Sequence, residues 1–404
     1  MIYQAYQFYS DAMVPARNLA QFGLSAMTPL LKNGQGDWLR NLTAAWELVS
    51  RATLTHSRPS FGIRSVRVGN RDAAVTEEAL DVTPFGTLLH FKKDIDQEQP
   101  RILLVAPLSG HFATLLRNTV QTLLPEHDVC ITDWHNARDI SNSEGIFGFE
   151  DYVEHIIRWL RVLGPNPHVL AVCQPCVQVL AAVAVMSEAG DPATPATMTL
   201  MAGPIDTRAH PTKVNELATQ KSISWFEKNL IDRVPARYKG AGRRVYPGFV
   251  QLMSFMSMNI DRHRKAHIDL YQHLARGEMD KAAAIKEFYD EYFAVLDMTA
   301  EFYLETVAWV FQEARLPRGE LTFRGGKVNP KAIRQTLLLT VEGERDDICG
   351  LGQTTAAHDL CSGLRPHLKR HHLQIGAGHY GVFSGRRWEG QVYPQVRHAI
   401  LSMS

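Results

Sequence analysis

The chain has 404 residues, 45% of them hydrophobic, enough for one large core or a core with an inserted domain. Its 43 basic and 42 acidic residues leave a net charge of +1, which excludes a global field for nucleic acid or an anionic membrane. Charged residues make up only 21%, which excludes wholesale disorder.

From Tyr3 to about Leu54 the pattern is helical, with apolar residues at i, i+3 and i+4 in "ARNLAQFGLSAMTPLL" and "DWLRNLTAAWELVSRA". "GQGD" separates the two and offers Asp37 as an N-cap. Tyr3, Tyr6, Phe8 and Tyr9 make the extreme N-terminus aromatic; these rings suit packing on the core or on a second subunit of a homodimer, or contact with an apolar surface. "MIYQAYQFYSDAMVPAR" lacks the basic and apolar regions of a signal peptide. No apolar run reaches the ~20 residues that span a bilayer. Five scattered cysteines, Cys130, Cys173, Cys176, Cys349 and Cys361, fit reduced thiols. A soluble cytoplasmic protein is expected.

From Ser65 to Phe91, "SVRV" and "AAVTEEALDVTPFGTLLHF" read as edge hairpin strands. Six further strands follow, in "RILLVAPLSGH", "HDVCITDW", "HVLAV", "ATMTLMAGP", "QTLLLTVEGERDDI" and "KRHHLQIGAGHYG". Several are apolar without a break, as strands buried on both faces are. Helical stretches lie between most of them, so an α/β fold with a mainly parallel sheet is expected. From about Asp206 to Pro317 the pattern is helical with no convincing strand. The expected division is therefore an N-terminal helical segment (1–62), the core (63–205 and 319–404) and a helical lid insertion (206–318).

Reactive residues collect just beyond the carboxyl ends of the expected strands, where open parallel sheets place their sites. Cys173 follows "HVLAV"; Asp346 and Asp347 follow "LLLTVEG"; His379 follows "HLQIGAG". The order nucleophile, acid, base matches the α/β-hydrolases. An imidazole makes a thiolate accessible, and a carboxylate fixes the imidazole's tautomer. Cys173 sits where strand meets helix, with the helix expected near Gln174 and Pro175 in its first turn. Gln174 keeps a backbone N–H for an oxyanion, and a second should come from Leu108 or Ser109 in "APLSGH". The small-x-nucleophile-x-small pattern selects Cys173, flanked by Ala171 and Pro175, over Cys176, expected one helical turn deeper. "GERDDI" selects Asp346 and leaves Asp347 to solvent or to a helix cap.

Rival readings of Cys173 and Cys176 are weaker. Zinc needs a second ligand pair at short spacing, which Cys349 and Cys361 do not form. A thioredoxin-like pair belongs after an early strand of a much shorter chain. Two thiols packed beneath a helix remain the structural alternative. No metal or cofactor is expected. In "VYPGFVQLMSFMSMNI", Phe249, Leu252, Met253, Phe255, Met256 and Met258 are too dense for one helical stripe. Either the helix is buried, or Met253, Phe255 and Met256 line the cleft and hold an apolar substrate.

"VCQPCV", "DVCITDWHNARDI", "TLMAGPIDTR", "VEGERDDI" and "GAGHYGVFSGRRW", in this order, resemble the intracellular polyhydroxyalkanoate depolymerases of the poly(3-hydroxybutyrate)-degrading type. The resemblance runs over essentially the whole chain. It implies an α/β-hydrolase fold with Cys173 as nucleophile, Asp346 as acid and His379 as base. It also implies action on amorphous polymer in cytoplasmic granules, with the granule surface as partner and 3-hydroxybutyrate oligomers or monomer as products. Polyhydroxyalkanoate synthases are similar but carry glycine on both sides of the nucleophile, where this chain has Ala171 and Pro175. A granule-binding protein without catalysis would not need the full Cys-Asp-His set.

Overall fold

The computed structural model describes residues 2–31, 36–258 and 260–403. Gly34 and Gln35 of the expected linker, and Asn259, lie outside the described residues. Three helices open the chain: α1 (Ile2–Ala12), α2 (Val14–Leu31) and α3 (Asp37–Arg51). Asp37 is the first helical residue of α3 and Gly36 takes the cap position, one residue earlier than expected. The core then runs β1 (Ser65–Val68), β2 (Arg71–Val82), β3 (Gly86–Lys93), β4 (Arg101–Val105), α4 (Arg117–Leu123), β5 (Asp128–Trp134), α5 (Phe149–Leu163), β6 (His168–Val172), α6 (Cys176–Ala189) and β7 (Thr197–Met201).

The insertion contains α7 (Lys213–Gln220), α8 (Ile223–Leu230), β8 (Asp232–Arg233), β9 (Arg244–Tyr246), α9 (Gly248–Met258), α10 (Ile260–Arg276), α11 (Met279–Tyr292), β10 (Met298–Thr299) and α12 (Ala300–Thr306). Its three strands form a small separate sheet, which corrects the all-helical expectation. At two or three residues each, they are too short to carry a strand period. After a hairpin of β11 (Thr322–Phe323) and β12 (Gly326–Lys327), the core resumes with β13 (Leu337–Gly343) and β14 (Lys369–Gln374), and the helix Tyr393–Leu401 closes the chain.

Nine strands make the main sheet, in the order β1-β2-β3-β5-β4-β6-β7-β13-β14. β3 runs antiparallel to β2 and β5, and every pairing from β5 to β14 is parallel. From β2 onward this is the α/β-hydrolase arrangement. Alternate residues of each central strand enter different cores. Leu103, Val105, Val169 and Ala171 pack with α5 and α6, whereas Ile102, Leu104, Leu170 and Val172 pack with α4 and the last helix. Both faces being covered explains the unbroken apolar runs. Each fully buried leucine or valine contributes about 2 kcal/mol. α6 is apolar on all sides because it lies inside, with Cys176 through Ala184 buried. β14, the polar edge strand "KRHHLQ", is half-exposed. The chain leaves β4 toward β5 and returns to β6 on the other side of β4, so a crevice opens above β4 and β6.

Asp297 ties three parts of the molecule together. Its fully buried carboxylate accepts hydrogen bonds from Tyr3 Oη of α1 at 2.7 Å and from the Gly248 N–H of the insertion at 2.8 Å. Its backbone N–H donates to Asn136 Oδ1 of the core loop after β5. Burial pushes Asp297 up to about 6, against the pull of Gly248, Tyr3 and Arg138. His56, whose Nδ1 lies 3.9 Å from the Asp297 carboxylate, is driven down to about 3, by burial first and then by Arg138, so it brings no charge to that contact. With the folded value above the unfolded one, Asp297 adds stability that is full below about pH 4 and is lost as pH rises through about 6. Relative to Asp297→Asn, which cannot ionise, the unfolding free energy of the unsubstituted protein should fall by roughly 3 kcal/mol between about pH 4 and about pH 8. Urea unfolding of both at each pH measures this; a constant difference would mean the carboxylate is charged there at no cost.

Candidate active site

Cys173 stands on the turn between β6 and α6 with φ +67°, a left-handed backbone in a residue that is not glycine. Such a residue costs about 1–3 kcal/mol and persists only where its surroundings impose it. Here its N–H donates to the Met201 carbonyl of β7 at 2.8 Å, and its own carbonyl accepts from the Cys176 N–H at 3.2 Å. Gly203 presses against the turn. A Cβ there would lie 2.2 Å from Cys176 Cβ and 3.0 Å from the Cys173 carbonyl oxygen, so only glycine fits. Sequence reasoning missed Gly203, although "MAGP" lies at the end of a recognised strand. The left-handed residue delays the helix, which starts at Cys176 rather than near Gln174, and Pro175 takes its cap position. Cys176 is therefore the first helical residue rather than one turn deeper. It is fully buried, its thiol faces the Ala171 and Met201 carbonyls, and burial pushes it well above the usual thiol range.

His379 begins a short turn after β14, and Asp346 lies in the loop after β13. His379 Nδ1 and Asp346 Oδ2 are 2.8 Å apart, both groups almost wholly buried. Asp346 Oδ1 accepts from the Ile348 and Cys349 N–H groups, each at 2.9 Å, so the carboxylate cannot swing away. Glu342, buried on β13, accepts from the N–H groups of Gly352, Thr354 and Thr355 and holds the far end of the same loop. Asp347 is exposed, as expected. With Nδ1 turned to Asp346, the ring's other nitrogen is left to Cys173, which lies close enough to act on the imidazole's charge. Burial opposes charge on the ring, but the charges of Asp346 and Cys173 and their hydrogen bonds outweigh it. They hold His379 well above the usual imidazole range. The row can move a proton from sulfur to imidazole and back.

Leu108 is buried at the end of β4, and its N–H points at the turn, where it donates to Gln174 Oε1 at 3.1 Å. The expected oxyanion donor thus already holds a carbonyl-type oxygen, from the side chain next to Cys173. Gln174 Nε2 is buried with no hydrogen-bond partner among the described residues. Ser109 is half-buried beside Leu108. The insertion reaches this loop: the Leu296 N–H donates to the Gly110 carbonyl at 2.9 Å, and His111 contacts the Tyr292 carbonyl. Burial drives His111 down to about 4, so it stays neutral.

The three candidate substrate contacts on α9 part company. Phe255 lines a cavity of about 370 Å³ together with His379 and Tyr380. Met253 and Met256 line another, of about 1020 Å³, walled by α1, α3 and α11 through Tyr6, Leu48 and Tyr289. Met253 is 66% exposed. Among the described residues no group of three or more His, Cys, Asp or Glu side chains is placed to hold a metal ion.

Residues 202–404 match the family model described as PHB de-polymerase C-terminus, where PHB is poly(3-hydroxybutyrate). The chain belongs to that family. The match contains Asp346 and His379; Cys173 lies before it. Membership in the PHB de-polymerase family makes carboxylic-ester hydrolysis the class of chemistry. Among solved structures, a thermophilic esterase from Thermogutta terrifontis is 12% identical over 82% of this chain and 99% of its own, with a TM-score of 0.43. A monoacylglycerol lipase from Paleococcus ferrophilus is 14% identical over 76% and 96%, with a TM-score of 0.42. Likenesses of this size say nothing about chemistry, and the fold stands on its strand order. No curated protein matches the chain significantly.

Cys173→Ala should lower ester hydrolysis by roughly 10⁴-fold or more, while Cys176→Ala keeps most of it. Turnover of a chromogenic ester, with circular dichroism as a check on folding, tests both. Equal loss in two folded variants would mean that the thiols act together.

Proposed function

We propose that this chain hydrolyses amorphous poly(3-hydroxybutyrate) through a thioester intermediate, with Cys173 as nucleophile, His379 as base and Asp346 orienting the imidazole. The observation that carries this reading is the Cys173 turn, set in a left-handed conformation beside a His379 already committed to Asp346. His379 takes the thiol proton, and the sulfur attacks the ester carbonyl. The oxyanion is received by the backbone N–H groups of Gln174 and Leu108 or its neighbour Ser109. As the C–O bond breaks, the imidazolium returns the proton to the leaving alkoxide. Water, deprotonated by the same imidazole, then cleaves the thioester and restores the thiol.

An uncharged polyester gives apolar contact most of the work. Phe8, Leu19, Phe22 and Trp38 on the N-terminal helices, with Met253 and Ile260, form a widely exposed apolar set that suits adsorption to the surface of a cytoplasmic granule. No described helix is long and apolar enough to cross a membrane. Ala171 and Pro175 beside the nucleophile favour hydrolysis over a synthase-like acyl transfer. Native granules should release 3-hydroxybutyrate acids when only this protein is added; a requirement for coenzyme A or for an acyl-coenzyme A would overturn the reading in favour of the synthase.

In this mechanism an incoming carbonyl must displace Gln174 Oε1 from the Leu108 N–H. Gln174→Ala keeps the backbone donor and removes the competitor. A hydrogen bond worth about 1 kcal/mol corresponds to roughly a fivefold gain in kcat/KM on a small soluble ester. A tenfold fall instead would place the carboxamide in the transition state.

A further inference from the structure

We propose that the cavity beside His379 is a carboxylate subsite, which takes the free acid end of a polyester chain. The inference rests on the hydrolase reading above and adds the direction in which the polymer is bound. Three arginines line this cavity from three separate elements: Arg262 from α10, Arg345 from the loop after β13, and Arg387 from the segment after His379. Asp347 is the one carboxylate among the described lining residues. None of the three arginines lies within ion-pair distance of a carboxylate among the described residues. Arg51, Arg117, Arg158 and Arg161 elsewhere on the molecule do. His263, also on the wall, is held down by burial first and then by Arg262, so it adds no charge. In a chain of net charge +1, an excess of positive charge here is a local feature with local consequences.

The same cavity is also lined by the apolar or aromatic side chains Phe255, Phe288, Tyr292 and Ile348. The lining therefore offers apolar contact to the methyl-bearing backbone of a hydroxyacid and positive charge to an anion. A guanidinium presents paired donors that match a carboxylate, and charge-assisted bonds of this kind are the strong ones.

The position relative to the chemistry sets the polarity. His379 must hand its proton to the leaving alkoxide, so the leaving part of the substrate lies against His379. In a poly(hydroxyacid), the alcohol side of every ester is the side that ends in the free carboxyl group. The cavity that shares His379 is thus on the leaving side, where the chain's acid end must go. Its volume of about 370 Å³ holds roughly three repeat units, at about 110 Å³ each for six non-hydrogen atoms at protein-like packing. In the step itself the ester C–O bond breaks and the leaving oxygen takes the proton from His379. The bound carboxylate stays ionised and unreacted. The site would therefore release short hydroxy acids from the carboxyl end.

The test compares the 3-hydroxybutyrate tetramer as free acid with its methyl ester. The unsubstituted protein should show a KM for the acid roughly tenfold below that for the ester. In Arg262→Gln/Arg387→Gln, at unchanged melting temperature, that ratio should collapse toward one. High salt should erode it in the unsubstituted protein, because the arginines are exposed. Cleavage of both compounds with equal KM overturns the subsite alone. Cleavage of neither overturns the hydrolase reading, and this inference with it.

Discussion

The conformation of Cys173 is the constraint to which the site answers. A cysteine with φ +67° stays there only because β7 supplies the Met201 carbonyl on one side and Gly203 leaves room on the other. Thr354 fixes Gly203 in turn, its hydroxyl bonded to both the N–H and the carbonyl of that residue. Thr354 belongs to the segment that Glu342 gathers, and the near end of that segment carries Asp346. The turn that presents the sulfur and the loop that presents the carboxylate are therefore one connected piece of backbone. A change at Gly203 would disturb both.

The insertion acts on the site from above in a comparable way. Leu296 pairs with Gly110, two residues from the Leu108 N–H, and Phe255 of α9 lines the same cavity as His379. Asp297, next to Leu296, anchors this region to α1 and to the loop after β5. The N-terminal helices are thus linked through a buried carboxylate to the Leu108–Gly110 loop. They also carry much of the exposed apolar surface. The helices that carry this apolar surface are the same ones that Asp297 ties to the rest of the molecule.

Much of this was legible in the sequence where burial is simple. β6 and β1 were readable to the residue, since a strand buried on both faces is an unbroken apolar run and a short exposed strand alternates. Cys173 and Asp346 could be picked out because each stands just past the end of such a strand, whereas His379 follows the polar edge strand β14 and was picked out by its place after the last strand. Gly203 was not, because its reason to be glycine lies across the sheet. The Leu108–Gln174 bond joins residues 66 positions apart and leaves no local trace. On α9, an apolar surface all round hides direction. Met253 and Phe255 are two residues apart, about 200° around a helix, and so they face different cavities.

The order of the strands along the chain has a consequence for synthesis on the ribosome. Cys173 emerges more than two hundred residues before His379, and the insertion emerges between them. β6 finds its neighbours β4 and β7 early, but the imidazole and its carboxylate arrive only with β13 and β14, at the far edge of the sheet. A nascent chain therefore carries Cys173 without Asp346 or His379 beside it until β13 and β14 have been made. The arrangement of Cys173, Asp346 and His379 therefore forms all at once, with completion of the sheet.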